Sequence, residues 1–179
     1  LAHWSGLGYY RRARLLHEGA KAVLRDHDGS VPREAALRRE IPGVGRYTAG
    51  AIGSIAFDLP EPIVDGNVAR VVSRLRGIDT PLGQKDTERA LWEHAERLAQ
   101  GERPGALNQA LMELGARVCT PTSPKCVICP VVSDCVAYKS DRVGALPVPA
   151  PKKAPKAVEL VALVARNARG HWLVRGEGS

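Results

Sequence analysis

Four cysteines, Cys119, Cys126, Cys129 and Cys135, fall in one short stretch with the spacing C-x6-C-x2-C-x5-C. Two disulfides would satisfy the count, but no secretory leader opens the chain and its size does not call for stapling. Metal ligation is the stronger reading. Structural zinc sites more often pair two C-x2-C knuckles, and here there is one, so zinc stays as the alternative. A cubane iron–sulfur cluster needs one sulfur ligand at each iron corner, and a compact loop broken by prolines can wrap it. The expected cofactor is therefore a [4Fe-4S] cluster. The five histidines (His3, His17, His27, His94 and His171) are scattered and form no ligand set.

A second feature is Ile41-Pro42-Gly43-Val44-Gly45. Gly43 and Gly45 let the chain turn sharply and aim backbone N–H groups at one point before the next helix. A nucleic-acid phosphate fits such a site without any base contact. A plain helix–turn–helix connection is the alternative, because Pro-Gly marks turns generally. Arg46, Arg11, Arg12 and Arg14 add positive charge nearby in sequence.

These features must be positioned by helices. Residues 11–25 carry Leu15, Leu16, Ala20, Val23 and Leu24 on one stripe at helical spacing. Asp28-Gly29-Ser30 breaks that helix, and residues 33–40 predict a short one. A helix rich in small residues runs from Arg46 to about Phe57, built for close packing. Asp65 leads into a helix bearing Val68, Val71, Val72 and Leu75. Thr87 to Ala99 turns Leu91, Trp92, Ala95 and Leu98 inward. Pro104 opens the last long helix, with Leu107, Ala110, Leu111 and Leu114, running to the cysteine loop. Residues 141–156 are rich in Pro and Lys and read as an extended basic linker. Val158 to Val164 and His171 to Val174, with a turn at Ala168-Arg169-Gly170 between them, suggest the start of a second, β-containing domain.

The 179 residues carry a formal charge of +7, with 44% hydrophobic and 25% charged residues, which describes a globular chain with one sizeable core. No run of apolar residues is long enough to span a membrane. The basic balance suggests a polyanionic partner, weakly, since arginine-rich composition has other origins. The chain opens at Leu1 inside an apolar segment and ends at Ser179 after a strand-like run, so it reads as an internal piece of a longer protein.

Trp4-Ser-Gly6-Leu7-Gly8-Tyr9-Tyr10-Arg11-Arg12-Ala13-Arg14, Ile41-Pro-Gly-Val-Gly-Arg-Tyr47-Thr-Ala-Gly-Ala-Ile52, Val64-Asp65-Gly66-Asn67-Val68-Ala-Arg70-Val71 and the four cysteines occur in that order. Over about residues 1–140 the chain resembles the helix-hairpin-helix DNA glycosylases with an iron–sulfur cluster, and among them the adenine DNA glycosylases (the MutY family). The resemblance implies an all-α glycosylase core over 1–140, a linker over 141–156 and the truncated start of a Nudix-like α+β domain over 157–179. It implies excision of adenine mispaired with 8-oxoguanine or G in double-stranded DNA, with the adenosine flipped out of the stack. The family expectation is a monomer, cytoplasmic and nucleoid-associated if bacterial.

By the same resemblance Asp65 is the catalytic carboxylate that stabilises or traps an oxocarbenium-like sugar, and Asn67 supports it by hydrogen bonding. Asp65 is equally placed to N-cap its helix, and both roles are compatible. Tyr47 stands where the endonuclease III family carries a Schiff-base lysine, which implies base removal without strand cleavage. Gly43, Val44 and Gly45 match the DNA-binding hairpin, Leu7 and Tyr9 the loop that wedges into the duplex, and Gln109 a position that contacts the flipped adenine. Cys119, Cys126, Cys129 and Cys135 match the cluster ligands, with Arg117, Lys125 and Lys139 near enough to meet phosphates. The family's general-acid glutamate lies upstream of the matching segments and has no counterpart here. Glu61 lacks motif support as a substitute, so the chain by itself is expected to be inactive. An endonuclease III-like pyrimidine glycosylase and a non-catalytic helix-hairpin-helix DNA-binding module are the alternatives.

Overall fold

In the computed structural model, residues 2–151, 169, 170 and 172 are described. Seven α-helices follow one another: α1 (Tyr10–Asp26), α2 (Ala35–Glu40), α3 (Arg46–Ala51), α4 (Gly66–Arg76), α5 (Lys85–Ala99), α6 (Pro104–Arg117) and α7 (Val136–Lys139). Helix α4 is the central one. Val68, Ala69, Val71 and Val72 on it join Ile63, Leu91 and Leu111 in the core, and α5, α6 and α7 all pack against it. Those seven side chains are each at most 8% exposed, so the valine-rich pattern read from the sequence marks burial on several sides. Asp65 caps α4 at its start and Gly77 ends it in the left-handed conformation (φ 69°). A side chain at Gly77 would also meet Val136 Cγ1 at 2.7 Å, so a glycine there lets α7 close on the core.

The small-residue helix expected over 46–57 is only α-helical to Ala51. From Ile52 to Ala56 it widens into a π-helical turn. Close approach explains the composition. A Cβ on Gly50 would collide with the Pro62 carbonyl, and one on Gly105 with the Ser54 carbonyl. Three segments thus pack at backbone distance, which the small residues permit.

Helix α1 departs from its expected stripe. Leu16 and Leu24 are 66% and 71% exposed, and the buried positions are Gly19 and Ala22. Leu15, Leu16, Val23 and Leu24 line an open apolar groove shared with Trp4, Ile41, Pro42 and Ile52. Residues 141–148 lie on the core: Leu146 is 2% exposed and the Val148 carbonyl accepts from Leu82 N at 2.9 Å. The expected strands 158–164 and 171–174, and with them the Nudix-like stub over 157–179, lie outside the described residues except for Arg169, Gly170 and Trp172. Every regular element longer than one residue among the described residues is helical.

Candidate functional site

The N-terminus of α4 carries two of the predicted site residues, Asp65 and Asn67. Asp65 Oδ1 accepts from Val68 N at 2.7 Å, a side-chain N-cap, and its Oδ2 accepts from Asn67 Nδ2 at 3.2 Å. One donor therefore holds each carboxylate oxygen, fixing its plane and leaving lone pairs to face a substrate. Asn67 is oriented in turn. Its Oδ1 accepts from Arg70 Nη2 at 2.9 Å, and Arg70 also donates to the carbonyls of Cys119 (2.7 Å) and Gly115 (2.6 Å). The sequence reading did not single out Arg70. Its signal was its place one turn after Asn67, on the face that meets α6.

Tyr47, in the first turn of α3, donates from its hydroxyl to Met112 Sδ at 3.3 Å. Burial raises the pKa of its phenol, and the negative charge of Asp65 raises it further. Tyr47 thus feels the charge of Asp65 and remains neutral well above physiological pH. It has no amine, so it forms no imine.

Gly115 sets the spacing between α6 and α4. A Cβ there would lie 2.6 Å from Asn67 Cβ and 3.0 Å from its Cα. Gly115→Ala is expected to cost about 1–3 kcal/mol through overpacking, read in urea denaturation. Asp65 should lose its fixed orientation as well, because the displaced residue is the one that donates to its Oδ2.

The hairpin precedes Tyr47 directly. Gly43 has φ 84°, and Val44 N donates to the Ile41 carbonyl at 3.0 Å, closing the turn into Gly45, the N-cap of α3. A Cβ on Gly43 would stand 2.9 Å from Leu15 Cβ. Gly43→Ala therefore combines a left-handed backbone cost of about 1–2 kcal/mol with a clash. The expected readout is a lower melting temperature and weaker duplex binding irrespective of sequence.

The loop before α1 is built around positive φ at Gly6 (83°), Gly8 (68°) and Tyr9 (47°). Trp4 Nε1 donates to the Gly8 carbonyl at 2.9 Å and pins it. Leu7 and Tyr9 are 67% and 82% exposed. A strained, pinned loop that holds two large apolar side chains in solvent is suited to meeting a stacked surface. Gln109 is exposed, with Nε2 donating to the Gly105 carbonyl at 3.2 Å.

All four cysteines line one small closed cavity, together with Arg74, Pro124 and Tyr138. Burial pushes the Cys126 thiol up, and the thiols of Cys119, Cys135 and Cys129 push it further, opposed by Arg74. Among the described residues no three Cys, His, Asp or Glu groups converge closely enough to hold a single metal ion. Four thiols around one cavity are the ligand chemistry of a metal ion or an iron–sulfur group. Arg74, 3% exposed, fastens this loop. It donates from Nη1 to Cys119 Sγ (3.3 Å) and the Thr120 carbonyl (2.8 Å), from Nη2 to the Pro121 carbonyl (3.2 Å), and from Nε to the Leu146 carbonyl (2.8 Å). Of the basic residues expected to face phosphate, Lys125 and Lys139 are exposed, and Arg117 pairs with Glu113 at 2.8 Å.

Comparison with known proteins decides the family. Residues 1–97, more than half of the chain, match the HhH-GPD superfamily of base excision DNA repair proteins. The chain belongs to that superfamily. Within it, the adenine DNA glycosylase of Rattus norvegicus is 52% identical over 148 residues, covering 80% of this chain and 29% of the relative. That of Buchnera aphidicola subsp. Schizaphis graminum (strain Sg) is 38% identical over 153 residues, 86% of this chain and 44% of the relative. The chain thus spans less than half the length of these relatives. Among solved structures, a thermostable thymine-DNA glycosylase superposes with a TM-score of 0.61 at 35% identity, over 73% of this chain and 59% of that one. A trapped endonuclease III–DNA covalent intermediate superposes at 0.59 and 27% identity, over 75% and 62%. The chain therefore has the HhH-GPD helical fold and resembles adenine DNA glycosylases over most of its length. No helix among the described residues is long and apolar enough to cross a membrane.

Proposed function

We propose that this chain is the greater part of the catalytic core of an adenine DNA glycosylase. It would remove adenine opposite 8-oxoguanine or G from double-stranded DNA, by cleaving the N-glycosidic bond without cutting the strand. The observation that carries the reading is Asp65, held by Val68 N and Asn67 Nδ2, with a tyrosine rather than a lysine at position 47.

In this mechanism the duplex is gripped through a phosphate at Gly43, Val44 and Gly45. Leu7 and Tyr9 occupy stacking space at the lesion, and the adenosine leaves the helix. Gln109 on α6 reads the adenine edge, because an amide both donates and accepts. As the bond to adenine lengthens, positive charge develops on the sugar. Asp65, held in place by its two donors, faces that charge with no reorganisation of its own. Tyr47 offers no amine to the sugar.

The four cysteines would hold an iron–sulfur cluster. That group supplies a rigid cross-link for the loop 119–135. Arg74 and Arg70 connect the loop to α4, so cluster integrity and carboxylate placement share one helix. The domain division is a glycosylase core over 1–140, a Pro/Lys-rich connection over 141–156 and the opening of a Nudix-like domain over 157–179. The protein would act as a monomer on chromosomal DNA. Glu61 is taken up by Arg38 and is not free to protonate a leaving base, so these 179 residues alone would not release adenine.

The test is to identify the base that the full-length protein releases from duplexes carrying 8-oxoguanine:A, G:A, G:T or an oxidised pyrimidine. Adenine from the first two supports the proposal. Thymine or an oxidised pyrimidine would instead support the pyrimidine-glycosylase reading, which the thymine-DNA glycosylase and endonuclease III likenesses keep open.

A further inference from the structure

Arg38 and Glu61 lie outside the segments that carry the glycosylase resemblance, yet they form a buried ion pair. The Arg38 side chain is fully buried, and the Glu61 side chain is 19% exposed. Every N–H of the guanidinium has an acceptor: Nε donates to the Ala49 carbonyl at 3.1 Å, Nη1 to the Pro32 carbonyl at 3.1 Å and to the Arg33 carbonyl, and Nη2 to both Glu61 carboxylate oxygens. The π-helical turn leaves room for the pair. A Cβ on Gly53 would strike the Glu61 carboxylate and come within 2.6 Å of Arg38 Nη2.

The main chain of Glu61 is gripped as well. Its carbonyl accepts from Asn108 Nδ2 at 2.9 Å, the same nitrogen donates to Ser54 Oγ at 2.8 Å, and Ser54 Oγ donates to the Gly50 carbonyl at 2.8 Å. Asn108 and Ser54 are each 1% exposed. This polar network is fully partnered at each of these steps, so it has one arrangement rather than several.

The two partners belong to parts with different tasks. Arg38 sits on α2, just before the hairpin, and binds the carbonyl of Ala49 in α3. Glu61 stands four residues before Asp65, with fully buried Ile63 between them. The pair therefore ties the helices of the hairpin to the loop that delivers the carboxylate. Filling space is a poor reason for it, because a buried ion pair roughly breaks even against apolar side chains of similar volume. This pair differs in fixing position and direction at once, because Nη2 reaches both carboxylate oxygens while Nε and Nη1 are held by three backbone carbonyls.

We infer that Arg38 and Glu61 are positioning residues that set Asp65 in register with the DNA-gripping hairpin. The rate readout of this inference rests on the proposed adenine excision; a second readout does not. Two variants of the full-length protein test it: the double replacement Arg38→Met with Glu61→Leu, and the single replacement Glu61→Asp. The double variant refills the space and removes both charges together. It leaves the carbonyls of Ala49, Pro32 and Arg33 without their donor, so it is expected to melt below the wild type. At a temperature where both are folded, it should bind undamaged duplex within about twofold of the wild type. Its single-turnover excision should slow by about 10–100-fold, the scale of a roughly 1 Å misplacement. Glu61→Asp keeps the charge but retracts the carboxylate by one methylene, so a smaller loss of rate at unchanged affinity is expected.

Amide hydrogen exchange over residues 58–68 should quicken in both variants while α5 stays as in the wild type. Wild-type excision and wild-type exchange in the double variant would overturn the inference. Should the double variant fail to fold, the same result in Glu61→Asp would overturn it. A wild-type protein that released no adenine would count against the proposed function, and the exchange comparison would still decide whether the pair holds the loop.

Discussion

Asp65→Asn in the full-length protein is expected to slow adenine excision by about 10²–10³-fold or more while leaving the fold in place. The substitution separates the two tasks of this side chain. Asparagine caps a helix about as well as aspartate, so its Oδ1 can still accept from Val68 N. The cost to α4 is confined to lost interaction with the helix dipole, about 0.3–1 kcal/mol. The negative charge facing the sugar is gone, and no neighbouring group restores it: Asn67 is committed to Arg70, and Tyr47 stays neutral. A melting midpoint within a few degrees of the wild type, with the rate collapsed, assigns the loss to chemistry. Asp65→Ala would confuse the two, because the cap goes as well.

Arg74→Met should have the largest structural effect. Methionine fits much of the space but leaves the carbonyls of Thr120, Pro121 and Leu146 without their donor and Cys119 Sγ without its N–H. Each orphaned buried acceptor costs about 1–3 kcal/mol, so a total of about 3–5 kcal/mol is expected after relaxation. The segments that Arg74 pins are the start of the cysteine loop and residue 146, which closes it from the other side. Iron and sulfide content should fall well below the wild-type protein's, with an increase in protease cutting between 119 and 146. Arg74→Lys restores one charge but not the fork, and is expected to be intermediate. A variant that retained full cluster content and protease resistance would show that Arg74 is dispensable to the loop.

What the sequence made legible follows from physics that is local or periodic. The valine pattern of residues 68–72, the proline at 104 and the glycine turn at 43–45 each express a backbone or burial preference within a few residues, and the helices begin and end close to where those signals fall. The cysteine spacing likewise brought four thiols to one cavity. Long-range closure was not legible. Arg38 and Arg74 were not singled out from the sequence, yet they are among the most buried polar side chains, because their partners include a carboxylate 23 residues away and a carbonyl 72 residues away. The π-helical turn at 52–56 coincides with the close packing of Gly50 on Pro62 and Gly105 on Ser54, long-range contacts that no propensity encodes. Leu16 and Leu24, expected on a core-facing stripe, instead line an open groove. The short helix α7 was missed because four residues give no period to read.

The most direct test of the account is single-turnover reaction of the full-length protein with an 8-oxoguanine:A duplex labelled on the adenine strand, analysed with and without heat and alkali. The account predicts that adenine is released and that strand breaks appear only after alkali, as Asp65 without an amine at position 47 requires. Strand breaks without alkali would contradict it by showing lyase chemistry, and absence of adenine release would leave a DNA-binding module in its place.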